Sequence, residues 1–150
     1  MAVVVATRMK VARWRDMPRF LRGSMAAGRQ ARRSPGLLGG RLRAEPSGVY
    51  WTLTVWSSAR DMQAFRDGGV HAILVPRLAG WASEAVFGVW TTESSELPTW
   101  SEASRRIAEH PNFAPLDHPS AAHRDAQVIP ARRMGLDLAL RPSRNVAALR

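Results

Sequence analysis

The chain has 150 residues, of which 45% are hydrophobic, and this is enough for one domain with a substantial core. It contains no cysteine, which excludes disulfides, thiolate nucleophiles and cysteine-ligated metal sites. No apolar run approaches the length that a membrane-spanning helix needs. We therefore expect a soluble, cytoplasmic protein with no membrane partner.

The net charge of +10 is concentrated at the start of the chain. Residues 1–47 carry eleven basic side chains against two acidic ones, whereas residues 48–112 carry five against seven. A basic chain is typical of nucleic-acid binding, but no aromatic residues alternate with the arginines to stack on bases. We therefore do not expect a nucleic-acid partner.

Val3–Ala12 is rich in β-branched residues and predicts the first strand. One of its faces is apolar, while the other carries Arg8 and Lys10 at one end. If this second face looks into a ligand chamber, Arg8 or Lys10 could meet an anionic group. The alternative is that both side chains reach solvent at the end of the strand.

Arg15–Arg33 predicts an amphipathic helix that ends before Pro35-Gly36. Apolar and small residues fall on one side of it, and five arginines fall on the other: Arg15, Arg19, Arg22, Arg29 and Arg33. We interpret this arginine stripe as a solvated helix face. The alternative is a docking surface for an anionic partner.

A weak strand, Leu37–Arg43, contains Gly39-Gly40, which suggests a bulge or a close approach to the backbone. A turn then leads into Val49–Trp56, whose two faces are both apolar. Both faces of the sheet therefore need cover. Helices can cover one face of so short a chain, and the other face would most simply meet the sheet of an identical subunit, enclosing a hydrophobic chamber in a homodimer.

The remaining elements complete a recognisable order. Ser57-Ser58 caps a helix that breaks at Asp67-Gly68-Gly69, and a second helical segment begins at Val70. Ala85–Thr92 predicts a strand and Trp100–Glu109 a helix. Strand, helix, strand, strand, helix, strand predicts an α+β, ferredoxin-like antiparallel sheet with helices on one face over residues 1–111. Residues 112–150 form a C-terminal tail, in which Gly135–Leu140 could be an added edge strand or an arm exchanged between subunits.

The sequence carries no phosphate loop, no HExxH and no G-x-S-x-G motif. His118 and His123 lie beside acidic residues in the tail, but their spacing matches no metal signature, and we predict no metal site.

The aromatic residues give a stronger indication. The central stretch contains Trp51, Trp56, Trp81 and Trp90, which we predict to line a substrate pocket. An aromatic chamber with one or two polar groups suits a flat or extended hydrophobic molecule. The candidate catalytic groups are His71, Tyr50 and Arg8.

The stretch from Trp51 to Trp90 resembles the second half of spheroidene monooxygenase-like proteins. The matching residues are Trp56, Met62, Phe65, Arg66, Asp67, Gly68, His71, Gly80, Trp81, Ser83, Glu84 and Phe87. The upstream segments RMKVARWRDMPRFL and RSPGLLGGRL are also similar to that family, so the resemblance covers roughly residues 3–92.

This resemblance implies the dimeric α+β barrel superfamily, which includes antibiotic-biosynthesis monooxygenases, haem-degrading oxygenases and chlorite dismutase-like proteins. The spheroidene enzymes use haem and oxidise a long apolar carotenoid. The chain departs from the haem-degrading branch, because Val75 lies near the place of that branch's ligand histidine. His71, the only histidine in the matched region, is the first candidate for an axial haem ligand or a general acid/base.

We therefore expect a homodimeric monooxygenase-like enzyme that acts on a hydrophobic, secondary-metabolic substrate. It would use haem ligated by His71, or it would use no cofactor and let a buried base deprotonate an activated phenolic substrate that reacts with dioxygen. The alternatives are a cyclase, isomerase or dehydratase on the same fold, and a non-catalytic module that binds a small molecule or an anionic partner.

Overall fold

The computed structural model describes residues 1–144 and contains one antiparallel sheet. Its strands are β1 (Ala2–Val11), β2 (Leu37–Glu45), β3 (Val49–Trp56), β4 (Ala82–Thr92), β5 (Asn112–Phe113) and β6 (Leu136–Leu140). The helices are α1 (Met17–Arg33), α2 (Ala59–Asp67), α3 (Gly69–Trp81), α4 (Trp100–Glu109) and the short α5 (Ala121–Arg124). In the sheet the strands are ordered β5-β4-β1-β3-β2-β6.

The central order β4-β1-β3-β2, with helices in the two crossovers, confirms the predicted α+β, ferredoxin-like fold. The two central strands, β1 and β3, each pair with a neighbouring strand on both sides. The predicted bounds of β3 and α4 match the structure, while β4 begins three residues earlier than the sequence indicates.

The pleat of β1 and β3 separates the side chains onto two faces. Thr7 lies opposite Thr52 on the face that α1, α2 and α3 cover, which we call the cavity face. Ala6 lies opposite Leu53 on the other face, which we call the α4 face. Both faces are apolar, as the sequence predicts for β3.

The cover of the α4 face corrects the sequence prediction. Within residues 1–144 it is not left for a second sheet, because Trp100, Ala103 and Ile107 of α4 are buried in one cluster with Val4 and Leu53. Helices therefore lie on both faces, since α4 follows the ferredoxin-like unit and folds back beneath it. One chain therefore covers both apolar faces of its own sheet, so the apolar faces alone do not require a second subunit. The homodimer stays a prediction.

The glycines of β2 show why a small residue is needed there. The register of β2 against β3 shifts between Leu37 and Gly39, which is the predicted bulge. A Cβ on Gly40 would lie 2.9 Å from the carbonyl oxygen of Leu53 and 3.1 Å from the Leu140 side chain. Gly40 therefore lets β6 pack tightly on the edge of the sheet.

The junction of α2 and α3 determines where His71 lies. Ser58 caps α2 by accepting a hydrogen bond from the Asp61 backbone N–H at 3.1 Å. Gly68 separates the helices, and Gly69 begins α3 with a φ of +54°, which glycine adopts without strain. His71 is consequently in the first turn of α3, where the sequence predicts a helix start. Pro76 lies inside α3, which continues to Trp81.

The predicted tail packs on the domain as far as it is described. Two backbone hydrogen bonds, from Ala114 to Ala85 and from Ser120 to Ser83, tie it to β4. Leu136–Leu140 forms β6, which pairs antiparallel with β2 of the same chain. Residues 145–150 of the predicted tail lie outside the described residues. Among the helices of residues 1–144, none has the length and apolar character to cross a bilayer.

Candidate functional site

A cavity of about 370 Å³ lies between the cavity face of the sheet and helices α1–α3. Its lining is mainly apolar and includes Val5, Phe20, Trp56, Phe65, Leu74 and Trp81. Val75 of α3 and Val89 of β4 also line the cavity and are themselves exposed. The cavity therefore opens to solvent between α3 and β4.

Small residues on α1 set the shape of this cavity. A Cβ on Gly23 would lie 2.8 Å from the Leu74 side chain, so this glycine allows α3 to approach α1 closely. Ala27 and Gly28 line the cavity nearby and leave its centre unfilled. The small side of α1, which the sequence shows opposite the arginine stripe, therefore creates space.

His71 is a half-buried residue that lines the cavity. Its Nδ1 atom lies 3.0 Å from the carbonyl oxygen of Arg66. A carbonyl oxygen only accepts hydrogen bonds, so Nδ1 carries a proton, and in the neutral imidazole the lone pair is then on Nε2. Among the described residues, Nε2 has no hydrogen-bond partner. A histidine in this tautomer can accept a proton at Nε2.

Gln30 of α1 fixes the backbone around this histidine. Its side-chain Nε2 donates to the carbonyl oxygens of Phe65 at 3.1 Å and Gly68 at 2.9 Å. Its Oε1 accepts a hydrogen bond from the His71 backbone N–H at 2.8 Å. One amide side chain therefore ties the end of α2 and the start of α3 to α1.

Aromatic contacts connect the sheet to His71. Trp56 is fully buried, and its ring stacks on Phe65 with the ring centroids 5.0 Å apart. The Phe65 ring in turn contacts the His71 imidazole at a centroid distance of 4.7 Å. The indole Nε1 of Trp56 donates to the Thr54 hydroxyl at 3.0 Å. These contacts fix the imidazole against the aromatic side chains of the cavity wall.

Arg8 lies on the α4 face and not in the cavity. Its Nη1 atom donates to Oε2 of Glu84 at 2.5 Å, and both side chains are more than nine-tenths buried. Burial alone would raise the pKa of Glu84. The hydrogen bonds from Arg8 and Ser120, together with the positive charges of Arg8 and Lys10, outweigh burial and hold the pKa below its ordinary value. Arg8 therefore does not meet a ligand in this cavity, which corrects the sequence expectation.

Tyr50 is on the cavity face but lies beneath the start of α1, outside the lining of the cavity. Its hydroxyl donates to the Met17 sulfur at 3.1 Å, and its ring contacts Phe20. Burial raises the pKa of the Tyr50 hydroxyl. The hydroxyl therefore stays protonated at neutral pH and packs against α1.

The four predicted pocket tryptophans divide between the two faces of the sheet. Trp56 and Trp81 line the cavity. Trp51 and Trp90 lie on the α4 face, where Trp51 contacts Trp100 edge-on and Trp90 lies beneath the Arg106 guanidinium. Trp51 and Trp90 therefore belong to the core, since strand alternation places them opposite the cavity.

A larger groove of about 680 Å³ lies beside α4, and its lining includes Arg43, Arg105, Arg132 and Arg133. Arg43 is already used within the fold, because its guanidinium donates to the carbonyl oxygens of Arg132 and Arg133. None of the predicted site residues lines this groove. In residues 1–144 no group of three or more histidines or carboxylates is placed to hold a metal ion.

Several residues that shape the site were not predicted from the sequence. Gln30 is an uncharged polar residue on a helix rich in arginine, which is a weak signal. Thr7 and Thr52 are typical strand residues, and their place on the cavity floor depends on register. His123 is predicted to be exposed in the tail, but its Nε2 lies 2.9 Å from the Ala114 carbonyl oxygen and holds that segment in place.

The whole chain was compared with known proteins. No family model matches it, and no curated protein matches it significantly. Solved structures are similar to it in fold at low sequence identity. SnoaB from Streptomyces nogalater, described as a cofactor-independent oxygenase, is 17% identical with a TM-score of 0.53, over 65% of this chain and 98% of its own.

Two structures from Nitrosomonas europaea are also similar. One is named as a candidate antibiotic biosynthesis monooxygenase and is 13% identical, with a TM-score of 0.55 over 61% of this chain and 90% of its own. The other, NE2512, has no known function and is 13% identical, with a TM-score of 0.54 over 65% of this chain and 95% of its own. This chain therefore shares its ferredoxin-like fold with these solved structures.

Proposed function

We propose that this protein is a monooxygenase-like enzyme that oxidises a flat hydrophobic substrate in the cavity between the sheet and α1–α3. The observation that carries the proposal is the contact of His71 Nδ1 with the Arg66 carbonyl oxygen at 3.0 Å, which leaves Nε2 of this cavity-lining residue without a partner among the described residues. A base in such surroundings can remove a proton from an activated phenolic substrate. A bound flat substrate would displace water from the aromatic lining around the resulting anion.

The chemistry balances without a bound cofactor because the substrate itself supplies all four electrons that reduce dioxygen. His71 Nε2 takes a proton from the substrate, and the substrate carbanion forms a carbon–oxygen bond with dioxygen. The hydroperoxide then loses water, so that a CH₂ group becomes a carbonyl and the second oxygen atom leaves as water. The cavity has to bind the substrate, place it beside Nε2 and admit dioxygen.

The lining of the cavity supports a hydrophobic substrate. Its volume of about 370 Å³ is in the range of small-molecule pockets, roughly 300–1,000 Å³. Trp56, Phe65 and Trp81 offer flat apolar surfaces. The resemblance to spheroidene monooxygenase-like proteins also favours an apolar, secondary-metabolic substrate. SnoaB, whose fold is similar, is described as working without a cofactor.

The residues that line this cavity do not fit haem. His71 Nε2 could serve as an axial ligand, but haem also carries two propionates that need cationic partners. Among the described residues that line the cavity, Arg66 is the only Arg or Lys. Its guanidinium already donates to both carboxylate oxygens of Asp67, at 2.7 and 2.9 Å. We therefore favour the cofactor-free reaction and derive no step through haem.

A non-oxidative cyclase, isomerase or dehydratase is the second candidate, because the same free Nε2 could move a proton within a substrate. The two candidates differ in their use of dioxygen. An isomerase would convert its substrate equally well under anaerobic conditions, whereas the proposed reaction would stop.

The test uses anthrone, a flat tricyclic ketone whose activated CH₂ group ionises through a phenolic tautomer. We expect the purified protein to consume dioxygen and to convert anthrone to anthraquinone faster than buffer. His71→Phe keeps an aromatic ring in the cavity and should lower the rate by about 10²- to 10⁴-fold, the usual contribution of a general base. His118→Phe, an exposed position outside the cavity, is the matched control. A His71→Phe protein that keeps full activity would contradict the proposal.

Haem is tested separately on the same protein. Haem added to the purified protein should give no stable Soret band that depends on His71. A Soret band in the wild type that disappears in a folded His71→Phe variant would favour the haem form of the reaction instead.

A further inference from the structure

Two threonine hydroxyls on the floor of the cavity have no protein partner. Thr7 of β1 and Thr52 of β3 both line the cavity and lie directly opposite each other in the sheet. Neither side-chain hydroxyl makes a hydrogen bond within residues 1–144. Directly opposed residues have their Cβ atoms about 4.5–5.5 Å apart, so both hydroxyls can reach one ligand atom.

The neighbouring threonine is different. Thr54 also lines the cavity, but its hydroxyl accepts the hydrogen bond from Trp56 Nε1. Thr54 therefore stabilises the position of an aromatic wall. Ser24 of α1 lines the cavity as well, and its hydroxyl makes no hydrogen bond within residues 1–144, but a rotation about χ1 would bring it to a carbonyl oxygen of its own helix. The residues on strands have no such local acceptor.

Polar groups in a mainly apolar pocket fix the orientation of a ligand, because an apolar lining alone does not distinguish one edge of a flat molecule from another. A threonine hydroxyl can both donate and accept, so it suits either a hydroxyl or a carbonyl oxygen. Within the cavity the threonine pair lies on the sheet and His71 lies on α3. A molecule that fills the cavity can therefore contact the pair with one part and His71 with another.

We infer that Thr7 and Thr52 together bind an oxygen substituent of the substrate and thereby determine which molecules are accepted. This inference rests on the proposed function and narrows its substrate class. The substrate is a flat, mainly apolar molecule with a hydroxyl or carbonyl oxygen held at the threonine pair, and its acidic position lies beside His71 Nε2. Hydrocarbons of the same shape bind more weakly because they leave both hydroxyls unpaired.

The test compares the binding of naphthol and naphthalene, two bicyclic molecules that differ by one hydroxyl group. Equilibrium binding to the full chain can be followed by the quenching of tryptophan fluorescence. We expect the wild type to bind naphthol about five- to tenfold more tightly, the effect of one or two neutral hydrogen bonds. The Thr7→Val/Thr52→Val variant keeps the shape of both side chains and should bind the two compounds equally.

Two control variants distinguish ligand binding by the threonine hydroxyls from a purely structural effect of the substitutions. Thr91→Val changes a threonine on the same face of the sheet but outside the cavity, and it should keep the preference for naphthol. Thr7→Ser/Thr52→Ser retains both hydroxyls and should also keep the preference. Affinity for naphthalene should be at least as high in the valine variant as in the wild type, because no hydroxyl is then left unpaired, and this would show that the cavity is intact.

Each outcome decides between distinct conclusions. A valine variant that still prefers naphthol would overturn the inference while leaving the proposed function standing. A preference that disappears in His71→Phe but survives in the valine variant would assign the oxygen to His71 instead. Failure of both compounds to bind the wild type would contradict the proposed function, and the inference with it.

Discussion

Gln30 Oε1 accepts a hydrogen bond from the backbone N–H of His71 at 2.8 Å, so a residue of α1 sets the position of the first turn of α3. The same side chain donates to two carbonyl oxygens at the end of α2. Because His71 Nδ1 is held by the carbonyl of Arg66 in that same junction, the orientation of the imidazole depends on Gln30.

Removing the Gln30 amide should therefore disturb the tautomer of His71. We expect Gln30→Leu to destabilise the fold by about 1–3 kcal/mol, because it removes three hydrogen bonds and leaves the His71 backbone N–H without a partner. It should also mix the two imidazole tautomers, which the nitrogen chemical shifts of His71 would report. Gln63→Leu, an exposed position on α2, is the matched control. A pure Nδ1–H tautomer in Gln30→Leu would show that Gln30 does not position His71.

The Arg8–Glu84 pair should behave as one buried unit. Arg8→Met leaves the Glu84 carboxylate buried without its main partner and should cost about 3–5 kcal/mol in the free energy of unfolding. The double variant Arg8→Met/Glu84→Leu should be less destabilised than Arg8→Met, because no charge remains unpaired. Urea denaturation measures the free energy of unfolding of both variants and of the wild type.

An exposed pair provides the control for this prediction. Arg105 and Glu109 are exposed and four residues apart on α4, so Arg105→Met should cost less than about 1 kcal/mol. Equal losses for Arg8→Met and Arg105→Met would mean that burial of the Arg8–Glu84 pair has no energetic consequence.

The Arg8–Glu84 pair also predicts that the protein loses stability in acid. The pKa of Glu84 is lower in the folded protein than its ordinary value of 4.5, so its ionised form stabilises the fold above that value. This contribution is lost as the pH falls through the lowered pKa. We expect the free energy of unfolding to decrease in this window for the wild type and to change less for Glu84→Gln. Glu93→Gln, which alters an exposed carboxylate that forms no ion pair among the described residues, should follow the wild-type curve.

The homodimer is a prediction that a mass measurement can check. Apolar side chains are exposed on α3, at Ile73 and Val75, and on β6, at Leu136 and Leu138. Exposed apolar residues of this kind are typical of contact surfaces. We expect light scattering to give twice the chain mass of 16.6 kDa. A mass of one chain at micromolar concentration would contradict the prediction.

Local pattern alone predicts the elements and their order. The run of β-branched and aromatic residues in Val49–Trp56 and the helical period of Arg15–Arg33 match β3 and α1 closely, because both patterns reflect burial within one element. The glycines of β2 likewise predict the bulge. These features depend on neighbours in the chain, and so the sequence determined the ferredoxin-like arrangement and the position of His71 at a helix start.

Only the tertiary structure decided which face of the sheet bears the cavity. The two faces of β3 are both apolar, so their patterns do not show which one α4 covers, and Arg8, Trp51 and Trp90 lie on that covered face. The direction of the imidazole depended on contacts with Gln30 and Phe65, which are distant in sequence from His71. Long-range packing, which no local period encodes, therefore brought His71, Thr7 and Thr52 to one cavity.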